Sequence, residues 1–280
     1  MIWSLVAPYV YGKENLLNYW LKGGFPDSLL ASTDKLSLKW RKDFIYTFLN
    51  RDILQLKLNI SSQTLEKLWL LCAHNHGTLL NYSNLSKQIG INRRTVVRYF
   101  EILESTYMIR KLQPYSKNLK SRIIKTPKIY IRDTGILHSL LNISDGHELL
   151  ANEKTGESWE GMVIENLIEE FDDFEHCFYR TTNNAEIDFI MYNKSITIAV
   201  ECKSSSKPSV TRGFWSALET INPDHIYIAA PVEAPYPFHG NEKIKVGSLK
   251  YVIDDIKKVL NQSSNNKKTD STIIELLKKQ

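Results

Sequence analysis

The stretch Thr181–Ser206, TTNNAEIDFIMYNKSITIAVECKSSS, holds the pattern that decides the fold of the C-terminal half. Two runs of strand-forming residues flank the turn-forming Asn193-Lys194-Ser195, at 186–192 and 196–203. This pattern predicts a β-hairpin. Because side chains alternate across a strand, Glu201 and Lys203 share one face, and Asp188 on the partner strand can lie beside them.

Grouping the charged side chains of an Asp, a Glu and a Lys on one sheet face lowers the stability of the fold unless a ligand binds there. Two carboxylates can hold Mg²⁺ through hard oxygen ligands. The lysine can orient a water molecule or offset the charge of a phosphate. The alternative is that Glu201 and Lys203 form an exposed charge pair, with Asp188 a surface residue.

The spacing Asp188, Glu201-x-Lys203 resembles the motif of the PD-(D/E)XK nuclease superfamily, and the flanking elements follow the same order. Residues 156–171 predict an amphipathic helix before the hairpin. After it, residues 211–218 predict a second helix and residues 225–230 another strand. The triplet alone is a weak signal, since Asp255-Ile256-Lys257 also fits it within a predicted helix.

The resemblance implies a metal-dependent nuclease site. Glu160, on the predicted helix, stands where the superfamily carries its first acidic residue. By this resemblance Glu160, Asp188 and Glu201 would hold Mg²⁺ or Mn²⁺. Asp188, Glu201 and Lys203 would be the catalytic residues, with Lys203 positioning the attacking water.

The chain of 280 residues is long enough for more than one domain, and its hydrophobic and charged fractions, 42% and 24%, are ordinary for globular proteins. Three widely spaced cysteines, at 72, 177 and 202, fit neither a disulfide framework nor a zinc site, so we expect a cytoplasmic protein. We expect no signal peptide, because the first residues lack a basic start followed by a long apolar core. We expect no membrane-spanning segment, because no apolar run approaches the length that a membrane requires.

A basic block lies in the middle of the chain. Residues 82–132 hold twelve Lys or Arg against two Glu, a net +10 by count, so the remainder carries −5 of the overall +5. A basic region inside an otherwise acidic protein indicates contact with a polyanion such as DNA.

The same block predicts a winged helix-turn-helix. Helices are expected at 82–89 and 93–105 with Gly90 in the turn between them, followed by strands near 108–112 and 128–132. The expected DNA-binding residues lie on the outer face of the second helix and in the wing: Arg93, Arg94, Arg98, Lys117, Lys120 and Arg122. The alternatives for the helix arginines are a solvated face or a protein-docking surface.

Asp133-Thr134-Gly135 matches the active-site loop of aspartic proteases, but that chemistry needs two such loops and the chain has one. The following residues, ILHSLL, predict a helix. We therefore interpret Asp133 or Thr134 as a helix cap.

Several further segments resemble, in their order, the C-terminal two thirds of a group of prokaryotic AAA-superfamily ATPases. The matching pieces are YWLKGGFP (19–26), WRKD (40–43), NRDI (50–53), KTPKIY (125–130), DTG (133–135), GESWEGMV (156–163), AEIDF (185–189) and VECK (200–203). In that group an ATPase core precedes a winged helix and a domain of unknown function with a PD-(D/E)XK-like fold. The ATPase half is missing here, since Gly12-Lys13 lacks the rest of a phosphate-binding loop, so we expect no ATP hydrolysis.

The expected architecture is a multidomain protein of the α+β or α/β class with a central mixed sheet. Its parts would be a helical unit (1–58), the winged helix-turn-helix (59–143), the nuclease-like domain (150–258) and a flexible tail (259–280). Three functions remain open: a Mg²⁺-dependent DNA endonuclease, a non-catalytic DNA- or protein-binding module, and the C-terminal half of an ATPase. In the third case the ATPase half would be either a separate subunit or a missing N-terminal half. The oligomeric state is not predicted.

Overall fold

The computed structural model describes residues 13–55, 60–115 and 124–262. The helices in these ranges are α1 (Lys13–Lys22), α2 (Pro26–Leu29), α3 (Asp34–Thr47) with a π-helical turn (Phe48–Asp52), α4 (Ile53–Gln55), α5 (Ser62–His74), α6 (Tyr82–Ile89), α7 (Arg93–Ser105), α8 (Thr134–Leu140), α9 (Gly146–Ala151), α10 (Thr155–Glu170), α11 (Arg212–Ile221) and α12 (249–262). The strands are β1 (Ile109–Pro114), β2 (Lys128–Ile131), β3 (Glu175–Arg180), β4 (Glu186–Tyr192), β5 (Thr197–Cys202), β6 (His225–Ala229), β7 (Tyr236–Phe238) and β8 (Asn241–Gly247).

The described strands form one mixed sheet in the order β2-β1-β3-β4-β5-β6-β8-β7. The pairs β1–β3, β5–β6 and β6–β8 are parallel, and the other neighbours are antiparallel. The protein is of the mixed α+β class, one of the two classes expected, and the expected central mixed sheet is present. The predicted hairpin forms as β4 and β5, and the helix before it and the helix and strand after it form as α10, α11 and β6.

The segment in which the winged helix-turn-helix is expected, 59–143, contains the helices α5 to α7 followed by the antiparallel β1–β2 hairpin. Asn81 and Asn92 cap α6 and α7 through their side-chain oxygens. Gly90 ends α6 with φ of 80°, a left-handed conformation that glycine adopts without strain. The apolar faces of the helices bury Trp69, Val96 and Phe100 in a core shared with the hairpin.

The hairpin also belongs to the C-terminal sheet. β1 pairs in parallel with β3, where Gln113 lies opposite Cys177 and Pro114 opposite Phe178. The sequence predicts three bodies in succession, but the described strands run without a break across the last two. Local periodicity carries no information on this pairing, because the partner residues lie more than 60 positions apart.

Helix α1 packs into the same C-terminal core. The rings of Trp20 and Trp159 on α10 meet edge to face, with centroids 5.2 Å apart. Both tryptophans and Leu21 are buried with the inner residues of the sheet. The N-terminal segment is therefore part of the support of α10, the helix that carries Glu160.

A fully satisfied chain of hydrogen bonds joins α1, α8 and α10. Trp20 Nε1 donates to Ser158 Oγ at 2.9 Å, and Ser158 Oγ lies 2.7 Å from His138 Nε2. His138 Nδ1 lies 2.9 Å from the carbonyl oxygen of Leu21, which can only accept, so Nδ1 carries the proton and Nε2 accepts from Ser158. We call this chain the histidine relay; burial lowers the pKa of His138 to about 3 and keeps it neutral.

His76 makes a second junction of this kind. Its Nδ1 accepts from the backbone N–H of Ile131 at 2.9 Å, so Nε2 carries the proton and donates to the carbonyl oxygen of Glu157 at 3.1 Å. Burial lowers the pKa of His76 to about 3. A Cβ at Gly161 would approach His76 Nε2 to 2.4 Å, so this close contact between α10 and the histidine requires glycine.

Asp133 caps α8, as the helix-cap interpretation predicts. Its Oδ1 accepts from the N–H of Ile136 at 2.8 Å, and its Oδ2 accepts from the N–H of Gly24 at 2.8 Å. Gly23, with φ of 77°, leaves no room for a side chain, since a Cβ there would lie 2.2 Å from Asp133 Oδ1. The carboxylate therefore fastens the turn after α1 to the start of α8.

The C-terminal tail and the membrane-spanning segments are the subject of two further predictions. Residues 259–262 continue α12, and the rest of the predicted tail lies outside the described residues. Of the helices in the described ranges, none is both long and apolar enough to cross a membrane.

Candidate functional site

Asp188 sits at an irregularity of β4. The residues of β3 and β4 pair as Cys177 with Ile190 but Tyr179 with Ile187, so three steps on β4 face two on β3. Ile187 and Ile190 consequently pack into the same core, which a regular strand would forbid. Bulges of this kind re-aim side chains beside functional sites. The regular alternation expected from the sequence does not predict the bulge.

The predicted neighbourhood of Asp188 and Glu201 is present. Phe189 on β4 pairs with Val200 on β5, so Asp188 and Glu201 lie one residue beyond this pair on their two strands. Asp188 Oδ2 accepts from the backbone N–H of Cys202 at 2.9 Å. The open end of the hairpin, away from its turn, thus holds both carboxylates.

Glu201 is 6% exposed and has two different oxygens. Oε1 accepts from Lys203 Nζ at 2.7 Å, whereas Oε2 is buried without a hydrogen-bond partner. Within the described part of the chain it is the one buried carboxylate oxygen in this condition. A buried, unpaired polar atom is costly, and a water molecule or an ion bound at this oxygen would satisfy it.

Glu160 on α10 faces the hairpin β1–β2 rather than open space. Its Oε1 accepts from Lys128 Nζ at 2.9 Å and from the Tyr130 hydroxyl at 2.5 Å. Lys128 is almost completely buried, and its Nζ also lies 3.0 Å from Glu186 Oε1 and 4.0 Å from Asp188 Oδ1. We call Lys128 with Glu160, Glu186, Asp188 and Glu201 the carboxylate cluster.

Burial and mutual repulsion shift the ionisation of the cluster. Burial, followed by the charge of Asp188, raises the pKa of Glu201 to about 8, although Lys203 opposes the shift. Burial also raises the pKa of Glu160 to about 7, against the charge of Lys128. For Lys128, burial lowers the pKa but the carboxylates Glu160, Asp188 and Glu186 raise it further, so the ammonium stays charged.

The residues present fit a divalent ion in part. Glu201 Oε2, with its unmet need for a positive partner, and the neighbouring Asp188 carboxylate are hard oxygen ligands of the kind that Mg²⁺ and Mn²⁺ prefer. However, no three His, Cys, Asp or Glu side chains within residues 13–55, 60–115 and 124–262 lie close enough together to hold a metal ion. Two carboxylates, those of Asp188 and Glu201, are therefore available as ligands of an ion.

The predicted DNA-binding residues divide between described and undescribed parts of the chain. Arg93, Arg94 and Arg98 are exposed on α7, and the guanidinium of Arg93 lies 5.6 Å from the centre of the Tyr82 ring. The other three, Lys117, Lys120 and Arg122, lie outside the described residues.

Two arginines, one in β1 and one directly after β2, are already paired with α10. Arg110 and Arg132 both donate to Glu165, and Arg132 also reaches Glu169 at 3.3 Å. Arg132 Nε lies 2.9 Å from Glu165 Oε2. Arg110 and Arg132 therefore hold the hairpin against α10, whereas the α7 arginines remain exposed to solvent.

Lys128 and Tyr130 are the residues that sequence reasoning missed. A signal was present, because a lysine in the otherwise apolar strand KIYI is buried only when it is paired. The sequence offered no means of identifying Glu160 and Glu186 as its partners. Only the packing of the hairpin against α10 and β4 brings these groups together.

Comparisons with known proteins place the chain beside uncharacterised relatives. Residues 13–147 match a domain of unknown function (DUF8612), and residues 155–251 match another (DUF4143). Uncharacterized protein Rv2008c of Mycobacterium tuberculosis is 37% identical over 218 residues, or 78% of this chain and 49% of that protein. Uncharacterized protein MJ1544 of Methanocaldococcus jannaschii is 23% identical over 253 residues, or 85% and 53%. The chain spans about half the length of these curated relatives, and no solved structure matches it.

Proposed function

We propose that the chain is a DNA-binding protein with a Mg²⁺- or Mn²⁺-dependent phosphodiesterase site at Asp188, Glu201 and Lys203. The observation that carries the proposal is the buried, unpartnered Oε2 of Glu201 beside a second carboxylate. A divalent cation would give this oxygen the positive partner that it lacks and would relieve the repulsion from Asp188.

Each residue has a distinct part in the proposed reaction. Asp188 and Glu201 would hold the ion, which when bound would polarise a phosphate oxygen and lower the pKa of a bound water. Lys203 is bonded to Glu201 and is more exposed than either carboxylate, with 27% of its side chain accessible. Its ammonium would orient the attacking water and offset the charge that develops on the phosphate.

The basic face of α7 supplies the proposed contact with DNA. The α5–α7 helices and the β1–β2 hairpin have the element order of a winged helix-turn-helix, in which the last helix approaches the duplex. Arg93, Arg94 and Arg98 are exposed on that helix and would contact phosphates, which carry no sequence information. We therefore expect cleavage with little sequence preference.

The test is a cleavage assay on linear, nicked and branched DNA with Mg²⁺ and with Mn²⁺. The wild-type protein should cut only when a divalent ion is present, and Asp188→Asn should lose both cleavage and ion binding. Lys203→Met should keep ion binding and lose cleavage. Asp255→Asn is the matched control, because Asp255-Ile256-Lys257 repeats the triplet at a place where Asp255 is held by Tyr227 and Lys245. Cleavage that survives Asp188→Asn would sink the proposal.

A second candidate is a non-catalytic DNA- or protein-binding C-terminal module of an AAA-family ATPase. The observation that favours it is Lys128, which already compensates Glu160 and Glu186. Divalent ions should stabilise a protein whose native state binds them. If millimolar Mn²⁺ leaves the melting temperature unchanged and no cleavage occurs, the module is the better account.

A further inference from the structure

Lys128 stands at the centre of the charges that the proposed site contains. Its Nζ lies within hydrogen-bond distance of Glu160 and Glu186, and 4.0 Å from Asp188. Only 3% of its side chain is exposed. The buried ammonium of Lys128 therefore fills a position among these carboxylates that a second cation could otherwise occupy.

The hairpin fixes Lys128 in this position. β2 pairs with β1 on one side, and the N–H of Leu80 and the carbonyl of Thr78 bond to the backbone around Lys128 on the other. Tyr130, two residues further along β2, donates to the same Glu160 oxygen as Lys128. Two donors on one strand face thus converge on Oε1 of Glu160 and set its orientation.

From this geometry we infer that Lys128 is a positioning residue that withdraws Glu160 from the ion, so that the site holds one divalent ion between Asp188 and Glu201. The inference rests on the proposed function. It departs from the motif resemblance, which made Glu160 a third metal ligand. It agrees with the lack of any three-ligand set within the described residues.

A charge count supports a single ion. The cluster and its immediate neighbours hold four carboxylates (Glu160, Glu186, Asp188 and Glu201) against the cations Lys128, Lys203 and Arg180, the last 3.5 Å from Glu186. With all four carboxylates ionised, one divalent ion would turn the formal charge of the site from −1 to +1, which suits a phosphodiester anion. A second would bring +3 into a buried site, which the desolvation of charge makes very unfavourable.

The decisive experiment is calorimetric titration of the full chain with Mn²⁺. Wild-type protein should bind one ion. Glu160→Gln keeps an oxygen for Lys128 and Tyr130, so it should bind one ion with an affinity within about tenfold of wild type, whereas Asp188→Asn should lose binding. Glu169→Gln, which alters another ion-paired carboxylate of α10, is the matched control and should bind as wild type does.

Lys128 itself gives the second arm. Lys128→Met frees Glu160 and Glu186, so it should bind a second Mn²⁺ or bind the first more tightly, while Lys128→Arg should stay at one ion. Circular dichroism would show whether the Met variant folds; if it does not, the Glu160→Gln titration decides. A loss in Glu160→Gln as large as that in Asp188→Asn, or two ions in the wild type, would overturn the inference and leave the proposed function standing. No Mn²⁺ binding by the wild type would overturn both.

Discussion

The histidine relay and the carboxylate cluster are two buried polar networks that meet on the same helix, where Ser158 and Glu160 are two residues apart. In the relay each side chain is neutral, and each hydrogen has an acceptor from Trp20 through to the Leu21 carbonyl. The cluster is built of charges and leaves Glu201 Oε2 without a partner. The relay is therefore expected to stabilise the fold, whereas the cluster carries a stability cost that the proposed ion would offset.

The largest effect on stability is expected when a residue of the histidine relay is replaced. Ser158→Ala would leave both Trp20 Nε1 and His138 Nε2 buried without partners, so we expect a loss of about 2–4 kcal/mol in the free energy of unfolding. Ser86→Ala is the control, because its hydroxyl bonds only within the first turns of α6, near the surface, and should change stability by less than about 0.5 kcal/mol. Urea denaturation of both variants measures the difference; equal losses would mean that the relay has no special role.

The histidine relay and the carboxylate cluster should change the stability of the fold in opposite directions as the pH falls. His76 and His138 have a folded pKa of about 3, below the ordinary 6.5, so their stability is present above pH 6.5 and is lost as the pH falls towards 3. Glu160 and Glu201 have raised pKa values, so their contribution is greatest below 4.5 and is lost as the pH rises through about 7 and 8. Between pH 4.5 and 6.5 the two trends oppose each other in the wild type.

The variant Glu160→Gln/Glu201→Gln removes one of these trends. From pH 6.5 to 5.5 we expect it to lose about 2 kcal/mol more stability than the wild type, since about 1.4 kcal/mol per pH unit accompanies each proton. Thermal melts at half-unit steps of pH measure the two curves. Parallel curves would show that the fold does not raise the pKa of Glu160 and Glu201.

The alkaline side tests the unpartnered oxygen alone. Above pH 8 the wild type must carry an ionised Glu201 beside Asp188, whereas Glu201→Gln carries no charge at this position. We expect the stability of Glu201→Gln relative to wild type to rise by about 1 kcal/mol between pH 7 and pH 9 in the absence of divalent ions. Addition of Mn²⁺ should reverse the order, because only the wild type retains both proposed ligands. A relative stability independent of pH would mean that Glu201 has a partner after all.

The smallest effect on stability is expected on the surface of α7. Replacing Arg93, Arg94 and Arg98 together by Ala should change the free energy of unfolding by less than about 0.5 kcal/mol per site, since exposed charges away from buried networks contribute little. DNA affinity should nevertheless fall, and the slope of log K against log salt should decrease by about 0.9 for each phosphate that the arginines no longer neutralise. An unchanged salt dependence would favour a protein-docking surface.

The sequence predicts local elements well and their long-range pairing poorly. The turn at Asn193-Lys194-Ser195, the turn at Gly90 between α6 and α7, and the neighbourhood of Asp188 and Glu201 follow from residues close together in the chain. The bulge at Asp188 does not follow, because it depends on how β3 pairs with β4.

The candidate site shows the same division. Its two hairpin carboxylates belong to one local motif, while Lys128 approaches Asp188 from a strand about 60 residues earlier. A buried lysine reveals that it needs partners, but not which ones. The sequence can show that a charged side chain will be buried and will need partners, but only the fold determines which residues those partners are.

The parallel pairing of β1 with β3 has a practical consequence for dividing the protein. The two matched domains meet between residues 147 and 155, which would be an obvious place to cut, yet a cut there separates β1 from β3. Each fragment would carry an uncovered strand edge, and uncovered edges recruit strands from other molecules. We therefore expect either half to precipitate when it is expressed alone, and the two halves to remain in solution when they are expressed together and find each other.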